Sequence, residues 1–481
     1  MRTQNTTAVV ALIVAGGLAG GACNFDITNP NSPASIGPNA TAAQVDAAAV
    51  GLLIALRADA ANWVLKAAIL GREGYRLDTA DPRFTTELLA GPLDASNNAF
   101  GGGQWQPEYR TIRAGYAILN VIGSAQISGP EKNAVSGYVQ TIQALSLLNV
   151  LYAHTQDSIP IDVNRGIDQP LAPLVSNDSG YKAVVAILDS ARTNLLAGGA
   201  SFPFDPGPGF VGLETPANFV KFNRALMARV RAYQASLGAL PGSVTAGYGS
   251  VVRWPACTAC WDSVLTALQQ SFLNTAAPLD FGAYNQFSTG NQDLPNGLSQ
   301  DPASAINLAH SSVADSAELQ TGGAARDKRF LAKVTTRSAF SLACLSSDLS
   351  WIRYPTPNSP IPMIRNEELI LLRAEANWFG ATGTKAQAIS DLNFIRQSSG
   401  GLDPTTVTTG STDSVFVNAL LHERLYSLLY EGGHRWIDMR RFGRLSQVVI
   451  DRPTGCAAAG IPKDTVFSRM PINSFEAEAR K

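Results

Sequence analysis

Three groups of residues have types and spacings that bear on chemistry. His422-Glu423 with Tyr426 begins like a zinc-binding His-Glu-x-x-His helix, but that site needs histidine where Tyr426 stands. Glu367 and Glu368 offer two carboxyl groups. Adjacent positions on a helix point in different directions, so they cannot flank one bond as a glycosidase's acids do. Cys257 and Cys260 have the spacing of a redox or zinc pair. Trp254, Pro255 and Trp261 place them in a loop, and no second close pair is present for zinc, so they read as a small disulfide-closed loop. No nucleophile elbow, phosphate loop or dinucleotide fingerprint appears in a strand-turn-helix setting. Only 4 histidines are present, which argues against a histidine-rich metal site. No catalytic residue, metal site or cofactor is therefore assigned.

A denser set of charges lies near the C-terminus: Arg373, Glu375, Glu423, Arg424, Glu431, Arg435 and Asp438. Set among apolar residues, they read as helix-to-helix ion pairs rather than a catalytic cluster, because charges near a core need partners. The elements that must hold them are helical. After Pro362, residues Leu369, Leu372, Ala376 and Phe379 recur at 3-4-3 spacing, up to Gly380. A second helix opens at Thr384, where Thr384 and Gln387 fit a capping box, and it carries Ala388, Leu392 and Ile395 before Gly400-Gly401. A third starts near Asp413 with Leu421, Leu425 and Leu428, and a short fourth holds Trp436 and Met439. Short connections force antiparallel neighbours, so these are helical hairpins, and hairpins with one apolar face each tend to stack.

The rest of the chain is consistent with such a body. Its 481 residues are 45% hydrophobic and 16% charged, with net charge −1, so no basic excess points to nucleic acid. The 42 Gly and 27 Pro predict long ordered loops. Residues 1–22 read as a targeting signal: Arg2, an apolar run over Ala8–Gly17 too short to span a bilayer, then Gly20-Gly21-Ala22 before Cys23. Cys23 is the expected lipidation site, 23–40 a polar tether and 41–481 a single domain. No later segment reads as a transmembrane helix, giving an acyl-anchored protein. Four cysteines then remain in an oxidising compartment, enough for one or two disulfides. One helix is expected over 41–70, with Val45, Ala48, Leu52, Leu56 and Ala60 on one face.

Several blocks resemble the SusD/RagB family of outer-membrane lipoproteins. The C-terminal ones are Arg365, Glu368, Leu371 and Ala374-Glu375-Ala376, then Asn393 and Arg396, then Glu423-Arg424, then Glu431, Arg435-Trp436, Asp438 and Arg441. One additional glycine, in Gly432-Gly433, departs from the family's pattern. Earlier blocks are Trp105, Tyr109, Ile112 and Asn120; Asn223-Arg224-Ala225-Leu226 with Arg229; and Asp327 with Arg329. The resemblance implies a mostly α fold of tetratricopeptide-like stacked hairpins, near 104–153, 181–237, 363–398 and 413–442. Loop-rich inserts near 71–103 and 240–360 would carry a few short strands, for example around Phe330–Thr335. It further implies a surface protein that captures nutrients, oligosaccharides first and peptides second. Such a protein hands its cargo to a SusC-like TonB-dependent transporter in the outer membrane.

Sugar binding needs aromatic faces for the C–H side of the rings and polar side chains for the hydroxyls. The first insert offers Tyr75, Arg76, Phe84, Asn97 and Asn98; the second offers Trp261, Tyr284, Asn285 and Phe287. Two rival readings are a surface-anchored glycoside hydrolase or peptidase, which would turn over its ligand, and a helical-repeat scaffold for protein partners.

Overall fold

The computed structural model describes residues 36–155, 157–166, 168–238, 258–290 and 293–481. Two helices open it, α1 (Ala42–Arg57) and α2 (Ala60–Leu70). A single helix over 41–70 is thus corrected to a pair, broken at Ala58-Asp59, where Asp59 leaves helical geometry. Taken together, Ala42–Leu70 is long and apolar enough to cross a membrane, which corrects the expectation that no segment after residue 23 is. Here Val45, Ala49 and Leu52 are buried, and α1 packs on the next two long helices.

Those helices are α3 (Gln106–Val121) and α4 (Gly129–Ala153), followed by α5 (Asn177–Leu196), α6 (Pro216–Gly238) and α7 (Thr258–Gln269). Helix α4 packs on α3, α5 on α4, α6 on α5 and α7 on α6, so each buries an apolar face against its neighbour in the chain. At Gly137 the α4 backbone comes so close to α5 that an added Cβ would lie 2.6 Å from Leu195 Cγ and 2.7 Å from Ala191 O. The C-terminal group comprises α8 (Asn366–Phe379), α9 (Lys385–Ile395), α10 (Asp413–Ser427) and α11 (His434–Arg441). Helix α8 touches α6, α7, α9 and α10 and so joins the two halves of the stack. Trp378 stacks on Phe416 at 4.1 Å between α8 and α10. This is the mostly α, stacked-hairpin architecture read from the sequence. The four expected hairpins coincide with α3–α4, α5–α6, α8–α9 and α10–α11.

The capping box at Thr384 is half formed. Thr384 Oγ1 accepts from Gln387 N at 3.2 Å, but the Gln387 side chain turns to Asp391 at 2.8 Å instead of reaching back. Thr384 N donates to Asn377 Oδ1 in its place.

The inserts supply five of the eight strands among the described residues. A four-stranded antiparallel sheet runs in the order β1 (Gly74–Arg76), β5 (Asn307–Ala309), β7 (Leu345–Trp351), β6 (Val334–Leu342). Phe330–Thr335 is thus corrected: Lys328–Leu331 is a helical turn, and the strand starts at Val334 and runs to Leu342. A second pair joins β4 (Gly282–Asn285) to β8 (Ile361–Arg365), with Gly282 opposite Arg365. The stretch from Pro362 to Arg365 is therefore strand, and α8 starts at Asn366. A third pair joins β2 (Ile159–Pro160) to β3 (Leu174–Val175). The β6–β7 hairpin turns at Ala343 and Cys344, both with positive φ (54° and 61°), where glycine or asparagine is the usual choice. Cys344 is tied there to Cys456, across 112 residues of chain. Cys260 is disulfide-bonded as well; Cys257, like Cys23, lies outside the described residues. Residues Pro38–Lys481 form one compact unit.

Candidate functional site

The C-terminal charges are consumed by structure. Glu431 sits between three cations: Arg365 Nε at 2.8 Å, Lys333 Nζ at 3.0 Å and Arg353 Nε at 3.1 Å. Their field holds its carboxyl far below the usual range despite complete burial. Glu423 lies between Arg329 (2.7 Å) and Arg396 (2.6 Å). Asp438 takes Arg424 (2.6 Å) and Arg441 (2.9 Å), which bring its carboxyl down to about 2 against its burial. Glu375 meets Arg441 at 2.6 Å, and Arg373 meets Asp391 at 2.7 Å. Arg435 is the exception: it has no ion-pair partner among the described residues, and burial lowers its pKa.

The same saturation closes the apparent catalytic options. Glu368 is doubly bonded to Arg229, while Glu367 pairs with Arg365 and accepts from Ser427 at 2.7 Å. Glu318, His422 and Glu423 converge closely enough to hold a cation, with ligand atoms within 4.8 Å of one another. The donor set fits a cation poorly, because guanidinium groups of Arg329 and Arg396 already occupy both oxygens of Glu423 and those of Glu318.

An open site lies elsewhere. A cleft of about 600 Å³ runs between α1, the Asp205–Phe210 loop and the exit of β4. Val50, Leu53 and Ile54 form its apolar wall, and Ile54 is 51% exposed. Tyr284, Asn285 and Gln286 form the opposite side. Gly209 is needed where the loop meets the strand, because a Cβ there would collide with the Tyr284 carbonyl oxygen. Arg57 anchors the rim: it pairs with Asp293 and donates to the Gln286 carbonyl. The Tyr284 hydroxyl donates to the Asp280 carbonyl, and burial pushes its pKa up to about 12. Asn285 and Met363 also border a smaller polar cavity of about 60 Å³, lined by Gln104, Glu108, Tyr152 and His434. The amide oxygen of Asn285 is buried without a hydrogen-bond partner. Apolar and ring surface beside half-exposed amides suits a ligand with C–H faces and hydroxyls.

Of the nine residues proposed from sequence for a ligand, Tyr284 and Asn285 reach this cleft. The other seven are placed otherwise. Tyr75, Phe84 and Phe287 belong to one hydrophobic core cluster, and Trp261 is fully buried against Phe379. Arg76 lies over the Phe84 ring and pairs with Asp78 at 2.8 Å. The Asn97 side chain caps Ala99 N at 2.9 Å, and the Asn98 carbonyl accepts from Lys66 at 2.6 Å. Aromatic rings under a long loop bury apolar area first, and here the inserts share a core with α2 and the end of α10. The sequence reading missed the α1 wall and the Asp205–Phe210 loop. A signal existed: Val50 and Ile54, four residues apart, lie off the buried Val45–Leu52 stripe.

Stacked helical hairpins with an open cleft define a class of helical-repeat scaffold, and comparison with known proteins shows what it is similar to. Residues 347–478 match the family model described as the SusD family. A SusD-like carbohydrate binding protein from Bacteroides fragilis has a TM-score of 0.65 at 15% identity, over 91% of this chain and 98% of that one. A SusD superfamily protein from Bacteroides thetaiotaomicron gives 0.63 at 15% identity, over 91% and 98%. A laminarin binding SusD-like protein gives 0.53 at 17% identity, over 91% and 97%. At these identities the likeness to the solved structures is one of fold. No curated protein sequence matches the chain. The C-terminal blocks that resemble the SusD/RagB family, from Arg365 to Arg441, lie inside the matched residues.

Proposed function

We propose that this protein is a surface lipoprotein, acylated at Cys23, that binds an oligosaccharide in the cleft beside Tyr284. It would pass the ligand to a SusC-like TonB-dependent transporter in the outer membrane. The observation that carries the binding step is the cleft itself, where the Val50–Ile54 wall faces the amides of Asn285 and Gln286. The names of structures with the same fold support a sugar as the ligand: one is carbohydrate binding, one laminarin binding, and one is described with xylogluco-oligosaccharide. Binding without turnover fits the carboxylates that line the cleft. Asp293 is paired with Arg57, and Asp205 caps Gly207 N at 2.8 Å, so neither is placed as a proton donor.

The test is calorimetric titration of the full chain with neutral oligosaccharides, including β-glucan and xyloglucan fragments. Tyr284→Ala is expected to lower affinity about tenfold, the loss of roughly one ring-sugar contact. Chromatography of the glycan after incubation should show unchanged chain length. Shortened glycan would favour the hydrolase reading, and undiminished affinity in Tyr284→Ala would move the site elsewhere. Cys23→Ala should release the protein from the membrane fraction; continued retention would refute the anchor.

A further inference from the structure

A second cleft, of about 560 Å³, lies between α3 and the chain that follows β2, with the C-terminal helical turn at its edge. It contains none of the residues of the first. Four guanidinium groups line it, those of Arg110, Arg113, Arg165 and Arg480, against one carboxylate, Glu476. Glu476 pairs with Arg480, and Asp162 pairs with Arg165 at 2.6 Å. Arg110 and Arg113 are left with no acidic partner among the described residues, on a chain whose net charge is −1. They stand one helical turn apart on α3, an arrangement of like charges that weakens a helix rather than supporting it.

The cleft is built before any ligand arrives. Tyr109 Oη donates to the Pro160 carbonyl at 2.8 Å, and Arg113 donates to the carbonyls of Val163 and of Arg165, the latter at 2.7 Å. Asn120 and Asn164 exchange two amide hydrogen bonds of 3.0 Å. These bonds fix the wall against α3 but involve only neutral acceptors, so they leave the charge of Arg113 uncompensated. Arg110 is exposed and makes no hydrogen bond or ion pair among the described residues. Nothing in the fold requires it.

From this geometry we infer that the second cleft binds an acidic oligosaccharide, with Arg110 taking the sugar carboxylate. A guanidinium matches a carboxylate with two parallel hydrogen bonds, and a concave wall focuses the positive field of the pair. The side-chain amide of Gln169 both donates and accepts, as a hydroxyl partner must. A peptide finds less here. The one strand residue in the lining, Pro160, has no N–H, and its carbonyl is already taken by Tyr109, so no strand edge is free to extend.

The experiment uses the full chain and three probes of similar size: an oligogalacturonate, a neutral gluco-oligosaccharide and an acidic tripeptide. Oligogalacturonate should bind, more weakly as salt is raised, and Arg110→Gln should reduce that affinity about tenfold, one charge-assisted contact. Arg110→Glu should abolish it. Tyr284→Ala should leave it unchanged, and both Arg110 variants should leave neutral-glycan binding unchanged, which separates failure of this site from failure of the first. Circular dichroism and the melting temperature check that the variants fold; a solvent-exposed side chain without partners predicts no change. No oligogalacturonate binding by the wild type, binding indifferent to Arg110, or binding of the tripeptide alone would each overturn the proposal.

Discussion

Around Glu431 the buried cations Arg365, Lys333 and Arg353 share one acid, whereas beside Tyr284 amides and apolar side chains face open solvent. The first region is rich in ionisable groups, and most of them are paired within the fold. The second has few charges, and its one close ion pair, Arg57 with Asp293, holds the rim. A dense charge cluster at 3-4 spacing thus marks where helices are fastened together. Contacts available to a ligand arise where chain segments distant in sequence meet without filling the space between them. The physical difference is desolvation: a buried charge must be matched within the fold, while half-exposed amides rest on water until something replaces it.

The sharpest way to break this contrast is to remove the shared acid. Glu431→Ala leaves Arg365, Lys333 and Arg353 without their common partner. It is expected to cost about 3–5 kcal/mol or to prevent folding, read by urea denaturation. A loss under about 1 kcal/mol would mean that the region is not held by its ion pairs.

Glu108 sharpens the comparison from the opposite direction. It is as buried as Glu431, but its carboxyl accepts from the neutral Asn149 amide at 3.1 Å, and burial pushes its pKa up to about 8. A folded pKa above the unfolded one makes this group's stabilisation complete below about pH 4 and lost as pH rises towards 8. Glu108→Gln should remove that slope. Its stability relative to wild type should grow between pH 4 and pH 8 by an amount on the order of 5 kcal/mol, then level off. Equal pH profiles for the two proteins would show that Glu108 is charged in the fold.

The smallest effect belongs to the cleft wall. Ile54→Ala should change unfolding free energy by less than about 0.5 kcal/mol, since the side chain is 51% exposed. It should nevertheless weaken oligosaccharide binding at the first cleft. Thermal melts and titration on one preparation give both numbers, and a large stability loss with unchanged binding would make the wall structural.

The helical hairpins were legible because apolar spacing, caps and short links act locally. Thr384 and Gly380 mark helix ends where they should, and Gly401 closes the π-helical turn, Arg396–Gly400, that follows α9. Local signals failed where a distant partner intervened. Gln387 preferred Asp391 to its own cap, and Pro362–Arg365 became strand because β4 lies alongside. The Ala343-Cys344 turn has neither glycine nor asparagine to announce it; Cys456, far along the chain, holds it. Tyr75, Phe84, Trp261 and Phe287 looked like sugar platforms because residue type is visible in sequence and burial is not.

The amino-acid order on its own thus determined the helical scaffold, the family resemblance and the pairing character of the C-terminal charges. Each of these depends on residues within a few turns of one another, or on the rule that a buried charge must find a counterpart. Which aromatics stay accessible, which acids remain unmatched and where two clefts open depend on how inserts, loops and chain segments fold back over the stack. Those contacts are set by packing between residues hundreds of positions apart, which no local spacing encodes.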